Sequence, residues 1–427
     1  MPSGGVKCAV GREGTKSIRG TRPALLISRA LIPWNVADLE RIERVVGGLK
    51  HAGLDAFACT LPMNVLMLTG YWPVIGTAAA IGTRDGQVWI AAPDAERDFA
   101  AAAWPDRLVT FAPGSLQEVG KLPVGAALRE LLNGRSHWRL GVESGPATVP
   151  GGYSALQIYG AQLRDVLVTD GHEALPAGEL LARLRAVKTA REIEFIRTAC
   201  AVAAKGFAAA AATLSPGRSE LDIALAARHQ FSLPAANEGE HRADGFAWCM
   251  SGPNSADAGA AFARSQSRRI AANDAVLLHA NSYLDGYWTD ITRTFVAGEP
   301  PNELRKMLEV IDEARAAALA VIRPGAAAKS VDAAAREVIV RSGYGDHFTH
   351  GLGHEVGFGA INADDRPRLH PASPDILEAG MVFNVEPAIY LPGRFGVRHC
   401  DMVLVTERGA EVLTPWLPHE ELHRAVA

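Results

Sequence analysis

His279 and Asp290 stand either side of an Asp285-Gly286 dipeptide, in the run Leu278 to Phe295. Asp-Gly is a strong two-residue hairpin turn, because both turn positions need a positive φ that these residues tolerate. A hairpin closed there pairs Leu284 with Tyr287 and sets Asn281 opposite Asp290. Side chains alternate between faces along a strand, so His279, Asn281, Asp290 and Thr292 share one face. Such a face must be wet, hydrogen-bonded or holding an ion, and a solvated sheet surface fits it as well as a site does. Three further stretches carry reactive groups. Thr349 to His354 places His350 and His354 in a Gly-rich turn, where glycine lets the backbone approach a ligand. Gly380 to Pro387 is an apolar strand ending in the carboxylate of Glu386. Gly396 to Met402 reads as one strand with Arg398 and Cys400 on one face and His399 and Asp401 on the other. Imidazole, carboxylate and thiolate are all metal ligands. Taken singly, each has a plain structural role: a strand Glu, a buried Cys or a tight Gly-His turn. All four stretches fall in one half of the chain, on elements able to converge.

The elements that must position these groups follow from pattern and punctuation. Leu39 to Lys50 reads as an amphipathic helix, followed by a strand from Asp55 to Cys59. Thr77 to Gly82 and Gln87 to Ala92 form a hairpin around Asp85-Gly86, and Leu140 to Glu143 is a further strand. Leu180 to Leu214 is Ala-rich and helical, and Thr189-Ala190-Arg191-Glu192 is a capping box that starts one long helix. Ser219 to Phe231 and Asn302 to Val321 are further helices. Strands follow at Ala275 to Asn281, Trp288 to Val296, Met381 to Glu386 and Val397 to Val405. The expected fold class is an α/β N-terminal domain plus an α+β C-terminal domain, with helices flanking one antiparallel sheet. The expected divisions are a mobile extension over 1–33, an α/β domain over 34–172 and the chemistry-bearing domain over 173–427, the boundary lying near Gly171 to Pro176.

The 427 residues are 48% hydrophobic and 21% charged, an ordinary globular composition, with a net charge of −4. That balance leaves no electrostatic footprint for nucleic acid or membrane. No apolar run of the roughly 20 residues needed to span a bilayer is evident, and the first 33 residues do not read as a secretory signal. Five cysteines, odd in number and widely spaced, fit reduced thiols in a cytoplasmic protein. No Cys-x-x-Cys pair, Walker loop or dinucleotide fingerprint is present.

The order of the four stretches resembles the pita-bread metalloenzymes: methionine aminopeptidase, prolidase, aminopeptidase P and creatinase. The resemblance rests on Gly-Tyr-Trp-Thr-Asp-Ile-Thr-Arg-Thr-Phe at 286–295, His-Gly-Leu-Gly-His at 350–354 and Gly-Met-Val-Phe-Asn-Val-Glu-Pro at 380–387. It covers the second domain, and the first domain is similar to the N-terminal domain of prolidase, aminopeptidase P and creatinase. It implies a ligand set of Asp, Asp, His, Glu and Glu for two metals. Carried onto this chain, those positions are His279, Asp290, His354, Glu386 and Cys400, so an Asp is replaced by His279 and a Glu by Cys400. The peptidases' histidine after Ser-Gly-x-Asn is missing behind Ser251 to Asn254. A second histidine, seven residues after the ligand His, is replaced by Ile361, with Asn362 beside it. His350 matches the first His of the family's His-x-x-x-His turn, and Arg398 an arginine able to hold a substrate carboxylate.

The resemblance thus implies a metal-dependent hydrolase of the Xaa-Pro dipeptidase or aminopeptidase P type, with Glu386 and His350 as catalytic groups. Arg398, His350 and Asn362 would contact a small, carboxylate-bearing or dipeptide-like substrate. Two carboxylates, at most one thiolate and two histidines carry less charge than four carboxylates, so one divalent ion is expected, zinc, iron or cobalt rather than manganese. Alternatives are a metal-free, creatinase-like C–N hydrolase, a thiol enzyme using Cys400, and an inactive binding protein. A homodimer is implied by the resemblance alone.

Overall fold

Asp285 and Gly286 take φ of 52° and 87°, the left-handed pair a two-residue hairpin turn requires. The turn joins β8 (Ala275–Leu284) to β9 (Tyr287–Val296), and the register sets Leu284 against Tyr287, Asn281 against Asp290 and His279 against Thr292. The turn is tied down at its back, where Asp285 accepts hydrogen bonds from the Arg242 amide and faces His241. Gly286 also packs on Trp72, whose ring would meet an added Cβ at 2.5 Å. The register expected from the sequence therefore holds, and the two strands run longer than expected.

This computed structural model describes residues 36–74, 78–112, 124–143, 167–168, 170–238, 241–259, 265–361 and 365–415. The extension expected over 1–33 and the candidate Asn362 lie outside them.

The first part is a six-stranded mixed sheet of order β4-β3-β2-β1-β5-β6. Its strands are β1 (Ala56–Cys59), β2 (Ala79–Thr83), β3 (Val88–Pro93), β4 (Arg107–Phe111), β5 (Arg139–Val142) and β6 (Glu173–Pro176). The segment read as a boundary, Gly171 to Pro176, contains β6, which pairs in parallel with β5. The helical stretch read over Leu180 to Leu214 comprises Gly178–Ala186 and the long helix Ala190–Thr213, which starts at the capping box as expected. The capping box divides them: Thr189 accepts from the Glu192 amide while Glu192 accepts from the Thr189 amide. Ala190–Thr213 is by length and composition apolar enough to cross a membrane, a property missed in the sequence. Phe195, Phe207 and Ala210 on it join Phe231, Leu278, Ile291 and Phe295 in one buried core.

The second part is several small sheets, where one was expected. β7 (Ala243–Ser251), β8 and β9 form an antiparallel trio. One face of the trio packs on Ala190–Thr213 and Glu220–Glu238, and the other carries the polar groups. Next in chain order come β10 (Gly353–His354), β11 (Arg368–Leu369), β12 (Val382–Val385), β13 (Ala388–Leu391), β14 (Phe395–Arg398), β15 (Asp401–Thr406) and β16 (Gly409–Val412). The stretch read as one strand, Val397 to Val405, is broken at His399-Cys400. Upstream of the break β14 pairs with β13; downstream β15 pairs with β12. Helices Asn302–Val321 and Ala328–Arg341 close the far side, burying Met307, Ile311, Val331 and Val338 with Phe383, Val385, Val403 and Val405. The second of these helices had no counterpart in the sequence reading.

Candidate active site

Four elements converge on Asp290. β9 carries Asp290 and Thr292. β8 places His279 so that its Nδ1 lies 3.0 Å from Thr292 Oγ1 and 3.6 Å from Asp290 Oδ1. The short β10 brings His354 Nε2 to 3.6 Å from Asp290 Oδ2 and 3.9 Å from Glu386 Oε1. The break after β14 swings Cys400 in: its amide and carbonyl bond Thr292, and its thiol donates to the Asp290 carbonyl at 3.2 Å, with Asp290 Oδ1 at 3.7 Å. Gly353 lies so tightly against the Asn384 carbonyl that a Cβ there has no room. That approach lets Asn384 Oδ1 accept from the His354 amide at 2.7 Å. The Glu386 amide donates to the Leu352 carbonyl at 2.7 Å, so His354 and Glu386 are fixed on one framework.

The other candidates sit on the flank. Arg398 donates through Nε to Thr292 Oγ1 at 3.0 Å, and through Nη1 to Tyr390 Oη at 3.3 Å and the Ala258 carbonyl at 3.4 Å. Nη1 stands 3.9 Å from Glu386 Oε2. Two of its three nitrogens are thus engaged inside the protein, which leaves the two N–H groups of Nη2 for a substrate oxygen. His350 Nδ1 lies 2.7 Å from the Gly351 carbonyl and Nε2 lies 3.0 Å from Tyr390 Oη. A carbonyl only accepts, so Nδ1 donates and Tyr390 donates to Nε2. His350 therefore faces Tyr390 rather than His354. Ile361 is 47% exposed, on the rim. Tyr390, Asn384 and Trp248, whose ring lies 5.3 Å from that of His279, were missed. Only the alternation that puts Asn384 on the Glu386 face of its strand signalled any of them.

Burial sets the charge states. Desolvation pulls His279 down to about 4, against the pull of Asp290, so its imidazole is neutral. His350 is lowered for the same reason, opposed by Glu386. Burial pushes the Cys400 thiol well up, and Asp290 and Glu386 add to it. A buried, protonated thiol is a poor nucleophile, which weighs against a thiol enzyme. Tyr390 is pushed up to about 12 by burial and stays a hydroxyl donor. Burial also works against the Arg398 charge, but Tyr390, Glu386, Cys400 and Asp290 more than offset it.

A family model described as metallopeptidase family M24 matches residues 194–407, half the chain. The chain belongs to metallopeptidase family M24. The Xaa-Pro dipeptidase of Pyrococcus furiosus is 29% identical over 380 residues, 88% of this chain and 97% of its own length. The prolidase structure from Pyrococcus horikoshii superposes with a TM-score of 0.69 at 26% identity, covering 88% of this chain and 98% of that one. Aminopeptidase P of Escherichia coli shares the fold, with a TM-score of 0.67 at 19% identity over 91% and 98% of the two chains. The M24 chain thus has the pita-bread fold expected of it and is a hydrolase of that family.

A metallopeptidase needs a cation, and the M24 residues can be tested for one. Among the described residues, no group of three or more His, Cys, Asp or Glu side chains is close enough together to hold a metal ion. The five positions approach in pairs, Asp290 meeting His279, His354 and Cys400, and Glu386 meeting His354. The donor chemistry nevertheless fits a single ion. His354 Nδ1 lies 3.0 Å from the Glu355 carbonyl and must donate to it. In a neutral imidazole, Nε2 then presents a lone pair toward the Asp290 and Glu386 oxygens. Three acceptors facing one another call for a positive charge between them, a metal ion or a proton. Asn384 Nδ2, 3.2 Å from Nε2, meets only part of that demand. Imidazole nitrogen and carboxylate oxygen are both zinc donors. The two separations from His354 Nε2, 3.6 and 3.9 Å, exceed the roughly 3.3 Å edge of a tetrahedron with ~2 Å bonds.

Proposed function

We propose that this M24 chain is a metal-dependent hydrolase that cleaves the amide bond of a dipeptide or a dipeptide-like small carboxylate. Its site is altered at two ligand positions, His279 and Cys400. The observation that carries the reading is His354 Nε2 set between Asp290 and Glu386. Asp290, His354 and Glu386 would hold one divalent ion, with His279 and Cys400 at its border. Bound there, it would lower the pKa of a water and polarise the scissile carbonyl. Nitrogen and sulfur donors favour zinc, iron or cobalt over manganese.

The chain supplies the rest. Glu386 is the proton acceptor and donor, its carboxylate steadied by Arg398. Arg398 Nη2 receives a substrate carboxylate oxygen. His350, oriented by Gly351 and Tyr390 before substrate arrives, contacts the substrate. The dipeptidase activity named for the Pyrococcus furiosus relative supports the substrate class. Buried, unpaired Cys59, Cys200, Cys249 and Cys400 suit a reducing compartment, and we infer a cytoplasmic enzyme and, from the resemblance, a homodimer.

The test is elemental analysis of protein purified without added metal, alongside turnover of Xaa-Pro dipeptides. About one equivalent per chain is expected, with activity lost on chelation. Turnover by metal-free protein would overturn the reading. It would favour a creatinase-like C–N hydrolase, which the pairwise arrangement and the Asn384 hydrogen on His354 support. Ligand-dependent stabilisation without turnover would mark a binding protein.

A further inference from the structure

The site face of the trio is partly open to solvent, and its open members are grouped. The face carries Phe246 and Trp248 on β7, His279 and Asn281 on β8, and Trp288, Asp290 and Thr292 on β9. Asp290 and Thr292 are buried, whereas Phe246, Trp248, His279, Asn281 and Trp288 are all partly open to solvent. In register, Phe246 lies across from Asn281, and Asn281 across from Asp290. The opening therefore sits directly beside the proposed reacting centre, with Asn281 as its floor and aromatic rings on both sides.

The rings are ordered. Phe246 and Trp248 lie 6.0 Å apart with planes 9° from parallel, and Trp248 and His279 lie 5.3 Å apart at 14°. On the other side Trp288 is braced by Tyr283 at 4.7 Å, and Tyr283 by Trp72 at 4.9 Å. Aligned rings offer aligned faces or aligned edges, and both suit a planar aromatic group, by offset stacking or by a T-shaped contact. The Arg228 guanidinium lies over the Phe246 ring at 5.9 Å, so Trp248 and Trp288 are the rings left for the substrate.

We propose that Trp248 and Trp288, with Phe246 stacked on Trp248, form a specificity subsite for an aromatic side chain of the substrate, next to the bond that is cut. The proposal rests on the reading of Asp290, His354 and Glu386 as the reacting centre. Trp248 is the specificity-determining residue, because it bridges Phe246 and His279.

Binding separates this subsite from that reading. Non-cleavable analogues of Phe-Pro and Ala-Pro, with a methylene in place of the peptide carbonyl, are titrated into the full-length protein by calorimetry. The Phe analogue is expected to bind at least about tenfold tighter, within the range a hydrophobic pocket gives. In Trp248→Ala the ratio should fall to within about twofold while affinity for the Ala analogue is kept, and Trp248→Phe should restore most of it. Equal affinities in the unmodified protein, or an unchanged ratio in Trp248→Ala, would overturn the subsite. If Trp248→Ala does not fold, Phe246→Leu takes its place, with a reduced ratio expected and an unchanged one overturning it. A clear aromatic preference in binding with no hydrolysis of Phe-Pro would leave the subsite standing and remove the hydrolase.

Discussion

Replacing Lys188 with Met removes the strut under the loop that carries His354. Lys188 Nζ pairs with Glu355 Oε1, and the two side chains are 0% and 1% exposed. Glu355 Oε2 has no partner, so Lys188 is that carboxylate's principal charge compensation, with Phe358 packed over the ammonium at 5.6 Å. The pair reaches the site through backbone: the Glu355 carbonyl accepts from His354 Nδ1, and Lys188 donates its amide to the Gly380 carbonyl at the head of the Glu386 strand. Removing one partner of a buried pair strands the other, at about 3–5 kcal/mol, whereas replacing both by apolar groups of similar size is often neutral or better. Lys188→Met is therefore expected to lose about 3–5 kcal/mol in urea unfolding, and the Lys188→Met, Glu355→Met double variant to recover most of it. A loss below about 1 kcal/mol, or a double variant no better than the single, would refute the view that the stranded Glu355 is what costs stability.

Gly286→Ala forces a Cβ to 2.5 Å from the Trp72 ring at φ 87°; a loss of about 1–3 kcal/mol is expected by thermal unfolding, and wild-type stability would contradict the turn. Thr189→Ala removes the capping box and the bond from Thr189 Oγ1 to Asp38 at 2.6 Å; a loss of about 1–2 kcal/mol is expected. Cys400 should resist iodoacetamide in the native protein at pH 8 and react only after unfolding, as mass spectrometry of the labelled peptide would show; rapid native labelling would favour a thiol mechanism. Cys400→Ala should lower the retained metal, read by elemental analysis, while unchanged content would place the thiol outside the ligand shell.

What the sequence made legible was local. Asp285-Gly286 set the hairpin register, so the facing of Asn281 and Asp290 followed from alternation alone. The capping box placed the start of the long helix at Thr189, because its reciprocal side-chain to backbone bonds are written in four consecutive residues. The break at His399-Cys400 was invisible: β14 and β15 share one apolar pattern, and only a change of pairing partner divides them. Arg398 was matched to a carboxylate clamp, and Thr292, Tyr390 and the Ala258 carbonyl take two of its nitrogens, contacts with no local signature. The trio's aromatic wall was likewise hidden, since Trp248 meets His279 only through cross-strand register.

The most direct measurement is hydrolysis of an Xaa-Pro dipeptide by protein dialysed against chelator, before and after zinc is titrated back. Activity should vanish on dialysis and return in full near one equivalent per chain, and Asp290→Asn, His354→Ala and Glu386→Gln should each prevent the return. Full activity in the dialysed protein, or a return unaffected by those substitutions, would contradict a hydrolase built on Asp290, His354 and Glu386.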